Sequence, residues 1–126
     1  MAVKESGNYF QYCSTRLKKN KDLVMEAIKT ASSAYKYASG KYKNHFDSTW
    51  DMLKINPKIF RYVNKKLRDD YSLAYEAVSQ DYYNFRYVSD RLKDDITLVR
   101  IACKHDIGMI EYASERIREN PILLKL

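Results

Sequence analysis

The sequence has few of the residues that build tight turns, disulfide frameworks or membrane spans. Only 3 Gly and 2 Pro occur among 126 residues, which leaves little material for the turns of an all-β fold. The 2 cysteines, Cys13 and Cys103, are too few for a disulfide framework and favour a reducing, intracellular setting. No apolar run approaches ~18 residues, and the start MAVKESGNYF lacks a secretory hydrophobic region. We therefore expect a protein that neither spans a membrane nor is secreted, located in the cytoplasm, or in the host cytoplasm if it is viral.

Basic charge and tyrosine are abundant instead. The chain has 23 Lys and Arg against 16 Asp and Glu, which gives a formal net charge of +7, and it has 12 tyrosines. A basic balance of this size suggests an acidic partner, whether nucleic acid, an anionic membrane surface or an acidic protein, and does not choose among them.

One segment of the sequence occurs twice in similar form. IFRYVNKKLRDD at 59–70 returns as NFRYVSDRLKDD at 84–95, a shift of 25 positions, and this shift holds along the chain without an insertion. Three columns of the alignment are apolar or aromatic in all five copies: Tyr12, Tyr37, Tyr62, Tyr87 and Tyr112; Phe10, Tyr35, Phe60, Phe85 and Ile110; Leu17, Tyr42, Leu67, Leu92 and Ile117. The sequence therefore predicts five repeats, at approximately 7–31, 32–56, 57–81, 82–106 and 107–126.

Each repeat reads as a pair of helices. Phe85, Val88, Ser89 and Leu92 follow a helical period, and a second stripe begins at Leu98. Two columns hold residues that cap helices: Ser6, Asn56, Asp81 and Asp106; Asn20, Asp70, Asp95 and Asn120. This pattern predicts a helix of about eleven residues, a short turn and a second helix of about ten. Neither helix can bury its stripe alone, so we expect an all-α fold, an α-solenoid of helix-turn-helix repeats.

The motif Y-[AV]-S-x-x-L-[KR]-x-D followed by L-V-x-x-A-[VI]-K also resembles a known family. Its best matches here are FRYVSDRLKDDITLVRIACK and FQYCSTRLKKNKDLVMEAIK. The family is a tandem helical repeat catalogued as a domain of unknown function and found in bacterial, protist and large-virus proteins. The resemblance covers nearly the whole chain and implies an all-helical fold with no catalytic residue. The second repeat departs from the pattern with Tyr42 in the Leu column and His45 at a cap position.

No residue set points to catalysis, a metal or a cofactor. Cys13 and Cys103 occupy columns otherwise filled by small or aliphatic residues, and Cys103 with His105 supplies two ligands where a zinc site needs four. Glycine-rich phosphate loops, HExxH and nucleophile elbows are absent from the sequence. The pairs Asp69-Asp70 and Asp94-Asp95 stand at predicted helix starts, where the helix dipole favours negative charge. We expect a protein that is not an enzyme.

Two columns are basic in every copy, and they leave two interpretations open. These are Arg16, Lys41, Lys66, Arg91 and Arg116, and Lys18, Lys43, Arg68, Lys93 and Arg118. Stacked repeats would align them into ridges that follow phosphates or carboxylates. Alternatively, pairs at i,i+4 such as Lys66–Asp70 and Arg91–Asp95 would make them a solvated, paired surface.

The tyrosine column has two interpretations as well. It either packs between repeats with its hydroxyls at a polar edge, or it forms an exposed ladder of aromatic rings and guanidinium groups. The net charge falls from +3 (5 minus 2) in residues 7–31 to 0 (3 minus 3) in residues 107–126. The second repeat is the richest in large aromatic side chains. The hypothetical partner-binding residues are Arg16, Lys18, Lys36, Lys41, Tyr42, Lys43, Phe46, Trp50, Lys66 and Arg91.

The C-terminal segment PILLKL places apolar residues in columns that are polar elsewhere. Ile122, Leu124 and Leu126 therefore predict either self-association or contact with another protein, unless the segment folds back onto the core.

The leading functional hypothesis is a non-catalytic protein-interaction module that acts as an adaptor or, if virus-encoded, as an inhibitor of a host complex. The alternative is a nucleic-acid-binding protein that uses the basic columns of the first two repeats. Both predict no cofactor and no membrane partner, and a homodimer through the C-terminal end is compatible with either.

Overall fold

The fold is all-α, as predicted. A computed structural model describes residues 20–38, 40–120 and 122, without the side chains of Lys41 and Tyr42, and every regular element in this part is a helix. The chain divides into two compact units, residues 1–67 and 68–126. Each unit is described below by itself.

Long α-helices alternate with 3-10 helices and short α-helices in both units. The first unit contains α1 (Lys21–Thr30), η1 (Ser32–Tyr37), α2 (Gly40–Lys43), α3 (Phe46–Ile55), η2 (Pro57–Tyr62) and α4 (Lys65–Arg68), whose last residue is the first of the second unit. The second unit continues with α5 (Tyr71–Gln80), η3 (Tyr82–Tyr87), α6 (Asp90–Lys93), α7 (Ile96–His105), η4 (Ile107–Tyr112) and α8 (Glu115–Glu119). Equivalent elements begin 25 positions apart along the described residues, as in Lys21, Phe46, Tyr71 and Ile96.

The four long helices are the predicted second helices of the repeats. Each has 10 residues, and three of them begin at a predicted cap: Asn20, Asp70 and Asp95 accept a hydrogen bond from the backbone N–H three residues later. The stripe predicted from Leu98 is confirmed, because Leu98, Val99, Ala102 and Cys103 are all buried.

The predicted first helix is wrong as a single helix. In the second unit a 3-10 helix of 6 residues comes first, then the two extended residues Val88 (φ −67°, ψ 159°) and Ser89 (φ −62°, ψ 161°), then a short α-helix. Ser89, which the pattern placed inside a helix, instead caps the short helix by accepting from Leu92 N–H at 3.3 Å. A hydroxyl that can bond a nearby amide favours such a helix start over a helix interior. The chain therefore breaks where Ser or Asn follows the tyrosine by two places.

The aromatic column of the 3-10 helices supplies the largest side chains of the cores. Tyr35 and Phe60 in the first unit, and Phe85 in the second, are 0% exposed. The predicted caps of these elements are confirmed, since Asn56, Asp81 and Asp106 each accept from the backbone N–H two residues later. A partner can therefore be bound only through the side chains that stay exposed around these buried columns.

Candidate interaction surfaces

The residues predicted to bind a partner fall into three groups. Arg16 and Lys18 lie outside the described residues, and Lys41 and Tyr42 belong to α2 without described side chains. Lys36, Lys43, Phe46, Trp50 and Lys66 belong to the first unit, and Arg91 belongs to the second. The structure therefore does not bring Arg91 and the first-unit residues together in one compact unit.

An aromatic pair lies along α3, where both side chains are half-buried. Phe46 and Trp50 are one helical turn apart, and their rings stack with centroids 5.7 Å apart. The Lys54 ammonium, one further turn along, lies 5.2 Å from the Trp50 ring centroid. All three side chains are half-buried or exposed, whereas Thr49, Met52 and Leu53 on the same helix are buried.

The same two helix positions carry a second aromatic pair that sequence reasoning missed. Tyr71 and Tyr75 of α5 are 40% and 43% exposed, and their ring centroids are 6.0 Å apart. The signal was available in the sequence, because Phe46 and Tyr71 share one column of the repeat and Trp50 and Tyr75 share another. We refer to Phe46–Trp50 and Tyr71–Tyr75 as the long-helix aromatic pairs.

The first basic column makes long-range ion pairs in the second unit. Arg91 Nε lies 3.0 Å from Asp69 Oδ1, and Ser89 donates to the same carboxylate. The identical set recurs 25 residues later, where Arg116 Nε lies 2.9 Å from Asp94 Oδ1 and Ser114 donates to Asp94. The predicted local pair between Arg91 and Asp95 is wrong, because Asp95 caps α7 instead.

These Ser–Asp–Arg clusters join successive repeats of the second unit. The serine and arginine lower the pKa of Asp69 and of Asp94, since both groups favour the ionised carboxylate. Next to each cluster the extended backbone turns an amide toward the preceding short helix: Ser89 N–H donates to Arg68 O, and Ser114 N–H donates to Lys93 O at 3.0 Å. The clusters therefore hold residues in place, and they take Arg91 out of the set of unpaired cations.

Cations lie over the tyrosine column. The Lys36 ammonium is 5.4 Å from the Tyr37 ring centroid and 5.5 Å from that of Tyr62. The same arrangement occurs in the second unit, where the Arg86 guanidinium is 5.3 Å from Tyr87 and 5.7 Å from Tyr112. The tyrosines thus do meet cations, but these come from the column directly before the tyrosine and not from the basic column that the sequence singled out.

One polar pair is buried in the first unit. The Tyr35 hydroxyl donates to Lys43 O at 2.7 Å and lies 3.0 Å from Thr49 Oγ1, and both side chains are 0% exposed. Burial raises the pKa of Tyr35 to about 12. Sequence reasoning missed this pair. The available signal was that Tyr35 and Thr49 are both polar in columns that are otherwise apolar: Phe60 and Phe85 for Tyr35, and Ala74 and Val99 for Thr49.

The cysteine and histidine of the second unit do not form a reactive group. Cys103 is 4% exposed, and burial raises the pKa of its thiol. His105 stacks on Tyr82 with centroids 5.4 Å apart. Within residues 20–38, 40–120 and 122, no group of three or more His, Cys, Asp and Glu side chains could hold a metal ion. In the same part of the chain, every helix is too short or too polar to cross a membrane.

The predicted self-association surface stays a prediction. Ile122 is 69% exposed, and Leu124 and Leu126 lie outside the described residues.

Comparison with known proteins finds one family. The family model described as Domain of unknown function (DUF4116) matches residues 1–44, 49–89 and 70–118, as expected for a repeat-like domain. A search of curated proteins and a search of solved structures each found no match.

Proposed function

Since the chain belongs to the DUF4116 family, whose function is unknown, we propose from its surface that it is a non-catalytic protein-interaction module. It acts as an adaptor or, if virus-encoded, as an inhibitor of a host complex. The observation that carries this proposal is the recurrence of the long-helix aromatic pairs at equivalent positions of α3 and α5, where Tyr71 and Tyr75 are 40% and 43% exposed.

The proposed architecture behind this function is an α-solenoid of five repeats, at approximately 7–31, 32–56, 57–81, 82–106 and 107–126. The 25-residue recurrence of the helices supports it, and so do the two Ser–Asp–Arg clusters of the second unit. Arrays of this kind present extended surfaces made of equivalent positions, which suits them to bind other proteins.

The aromatic pairs have the chemistry of binding hot spots. Trp and Tyr are enriched among residues whose truncation weakens protein complexes by ≥ ~2 kcal/mol. Tyr71 and Tyr75 keep 40% and 43% of their surface exposed, although the same helix buries Leu73, Ala74, Ala77 and Val78. Paired rings on a rigid helix lose little conformational freedom on binding, so their burial favours association.

Affinity capture with aromatic variants tests the proposal. The tagged protein is used to retain partners from a lysate of the cells in which it is made, and each candidate partner is then purified and titrated by calorimetry. We expect Trp50→Ala with Tyr75→Ala to weaken at least one reconstituted complex about 30-fold or more, as ~2 kcal/mol requires.

The matched control substitutes exposed polar residues on the same helices, Asp51→Ala with Ser72→Ala. It should keep the affinity within about twofold, because rim positions contribute little. Equal loss in both variants, or complexes that the aromatic variant leaves unchanged, would contradict the proposed surface.

A further inference from the structure

The charge of the first unit is concentrated in the elements between its long helices. Residues 32–43 contain three lysines and residues 57–67 contain three lysines and one arginine, and neither stretch contains Asp or Glu. The helices α1 and α3 are balanced by comparison, with three lysines against four acidic residues. Within the described residues 20–38 and 40–67, the positive excess therefore belongs to the layer formed by the 3-10 and short α-helices.

Every exposed side chain in this layer is a cation. Among the described side chains of 32–38, 40–43 and 57–67, the exposed residues are Lys36, Lys58, Arg61, Lys65 and Lys66. Lys43 is half-buried and donates from its ammonium to Lys36 O at 3.0 Å. We call these six residues the basic face.

Two contacts join the two stretches that form the basic face. The Lys36 ammonium lies 5.5 Å from the Tyr62 ring centroid, and the Arg61 guanidinium lies 5.4 Å from the same centroid. At the other end, the Asn64 side-chain amide donates to Asn44 Oδ1 at 3.4 Å. Lys58 points to the same side as Arg61, because residues three apart eclipse each other in a 3-10 helix. These contacts hold the two stretches that carry the six cations against each other, with Lys36 and Arg61 at one shared ring.

The equivalent positions of the second unit are not a basic face. Lys65 corresponds to Asp90 and Glu115, and Arg61 corresponds to Arg86 and Glu111. Lys66 shares a column with Arg91 and Arg116, which pair with Asp69 and Asp94. The residue that corresponds to these two carboxylates in the first unit is Asn44, which carries no charge. The first unit thus has lysine or asparagine at positions where the second unit has carboxylates that offset its cations.

The composition of the basic face indicates the class of its ligand. Protein interfaces have apolar or aromatic anchors at their centre, whereas interfaces with nucleic acid are more polar and much more positive. The described part of this face exposes no large apolar side chain. Tyr37 and Tyr62 carry the Lys36 ammonium over their rings, so they present charge in place of a stacking surface for unpaired bases.

We propose that the basic face binds the phosphate backbone of double-stranded nucleic acid without reading its bases. This function goes beyond the proposed protein-interaction module. It uses a different surface, formed by the 3-10 and short α-helices that connect the long helices in sequence. Contacts of this kind position a protein on a duplex and carry no sequence information by themselves.

Fluorescence anisotropy with a labelled DNA duplex tests this inference. Six phosphate contacts should make the association constant fall about 1,000-fold between about 50 mM and about 200 mM salt. Lys58→Gln with Lys66→Gln should lower the slope of log K against log salt by about 2, one for each lost contact. Neither side chain makes a contact on which the fold depends, and circular dichroism checks that the variant stays helical.

A matched control removes two exposed lysines of the long helices, Lys29→Gln with Lys54→Gln, and lowers the net charge by the same amount. The slope of this variant should equal that of the wild type. Equal slopes in the two variants would overturn the assignment of the face, because net charge alone would then explain binding.

Three further results would also overturn the proposal: no duplex binding at about 50 mM salt, tighter binding to the single strand than to the duplex, and equal affinity for poly-glutamate. The last result would assign the basic face to an acidic protein. None of these results bears on the aromatic variants, so the two proposals fail independently.

Discussion

The buried pair Tyr35–Thr49 allows a sharp test of the packing described for the first unit. In Tyr35→Phe the Thr49 hydroxyl loses its 3.0 Å partner and keeps only a 3.5 Å contact with Lys43 O. A buried hydroxyl left without a good partner destabilises a fold by about 1–3 kcal/mol. Thr49→Val should cost about 1 kcal/mol, because the Tyr35 hydroxyl still donates to Lys43 O.

The double variant should be more stable than the sum of its parts. Phe at 35 and Val at 49 are the residue types found at the equivalent positions Phe85 and Val99. The double variant removes both hydroxyls but leaves Lys43 O without either donor, so it should cost about 1–2 kcal/mol, which corresponds to a coupling free energy of about 1–2 kcal/mol. Urea unfolding measures the free energy of unfolding of each variant. The fluorescence of Trp50, the single tryptophan and the sequence neighbour of Thr49, follows the transition.

The pH dependence provides an independent readout of the same pair. The pKa of Tyr35 is raised from 10.0 to about 12, so its neutral form is favoured in the folded state. The stabilisation is complete below pH 10 and is lost as pH rises toward 12, because the unfolded chain ionises first. At about pH 11 the advantage of the wild type over Tyr35→Phe should have narrowed by about 1 kcal/mol relative to about pH 9.

Additive single effects would refute the hydrogen-bonded pair. A stability difference between wild type and Tyr35→Phe that stays constant from about pH 9 to about pH 11 would refute its burial. The two proteins differ at residue 35 alone, so this comparison isolates its hydroxyl.

Two further predictions concern the second unit. The pKa of Asp94 is lowered from 3.8 by Ser114 and Arg116, so its ionised form stabilises the fold above that value. Thermal unfolding should show Asp94→Asn to be less stable than the wild type at neutral pH. This difference should vanish as the pH falls well below 3.8, because the wild-type carboxylate is then protonated. Cys103 is buried with a raised thiol pKa, so in a Cys13→Ser background it should react with a disulfide reagent many-fold more slowly than in urea, and equal rates would contradict its burial.

The repeat, its caps and its core columns could be read from the sequence because each depends on local chemistry. Asp70, Asp95 and Asn20 cap helices as predicted, since a side-chain oxygen bonds an amide three residues away whatever the rest of the chain does. The column of Tyr35, Phe60 and Phe85 is buried as its apolar recurrence indicates.

The break in the first helix and the pairing of the cations depended on contacts between repeats. Ser89 matched a helical period, but its hydroxyl donates to Asp69, 20 residues earlier, which no spacing within one repeat reveals. Arg91 has an acidic residue at i+4 and pairs instead with a carboxylate 22 residues earlier. Local spacing could not decide whether Arg91 pairs with Asp95 or with Asp69, because the answer depends on how the backbone folds between residues 69 and 91.

The backbone amides of Ser89 and Ser114 have a consequence for how the repeats can change in number. Ser89 and Ser114 each bond a carbonyl at the end of the preceding short helix, and both donors and both acceptors are main-chain atoms. These two bonds make no demand on side-chain identity, so the same main-chain contact would form again if one 25-residue block were added or deleted in register. A change in the number of blocks would therefore preserve this part of the junction, and substitutions at the surface would leave it intact.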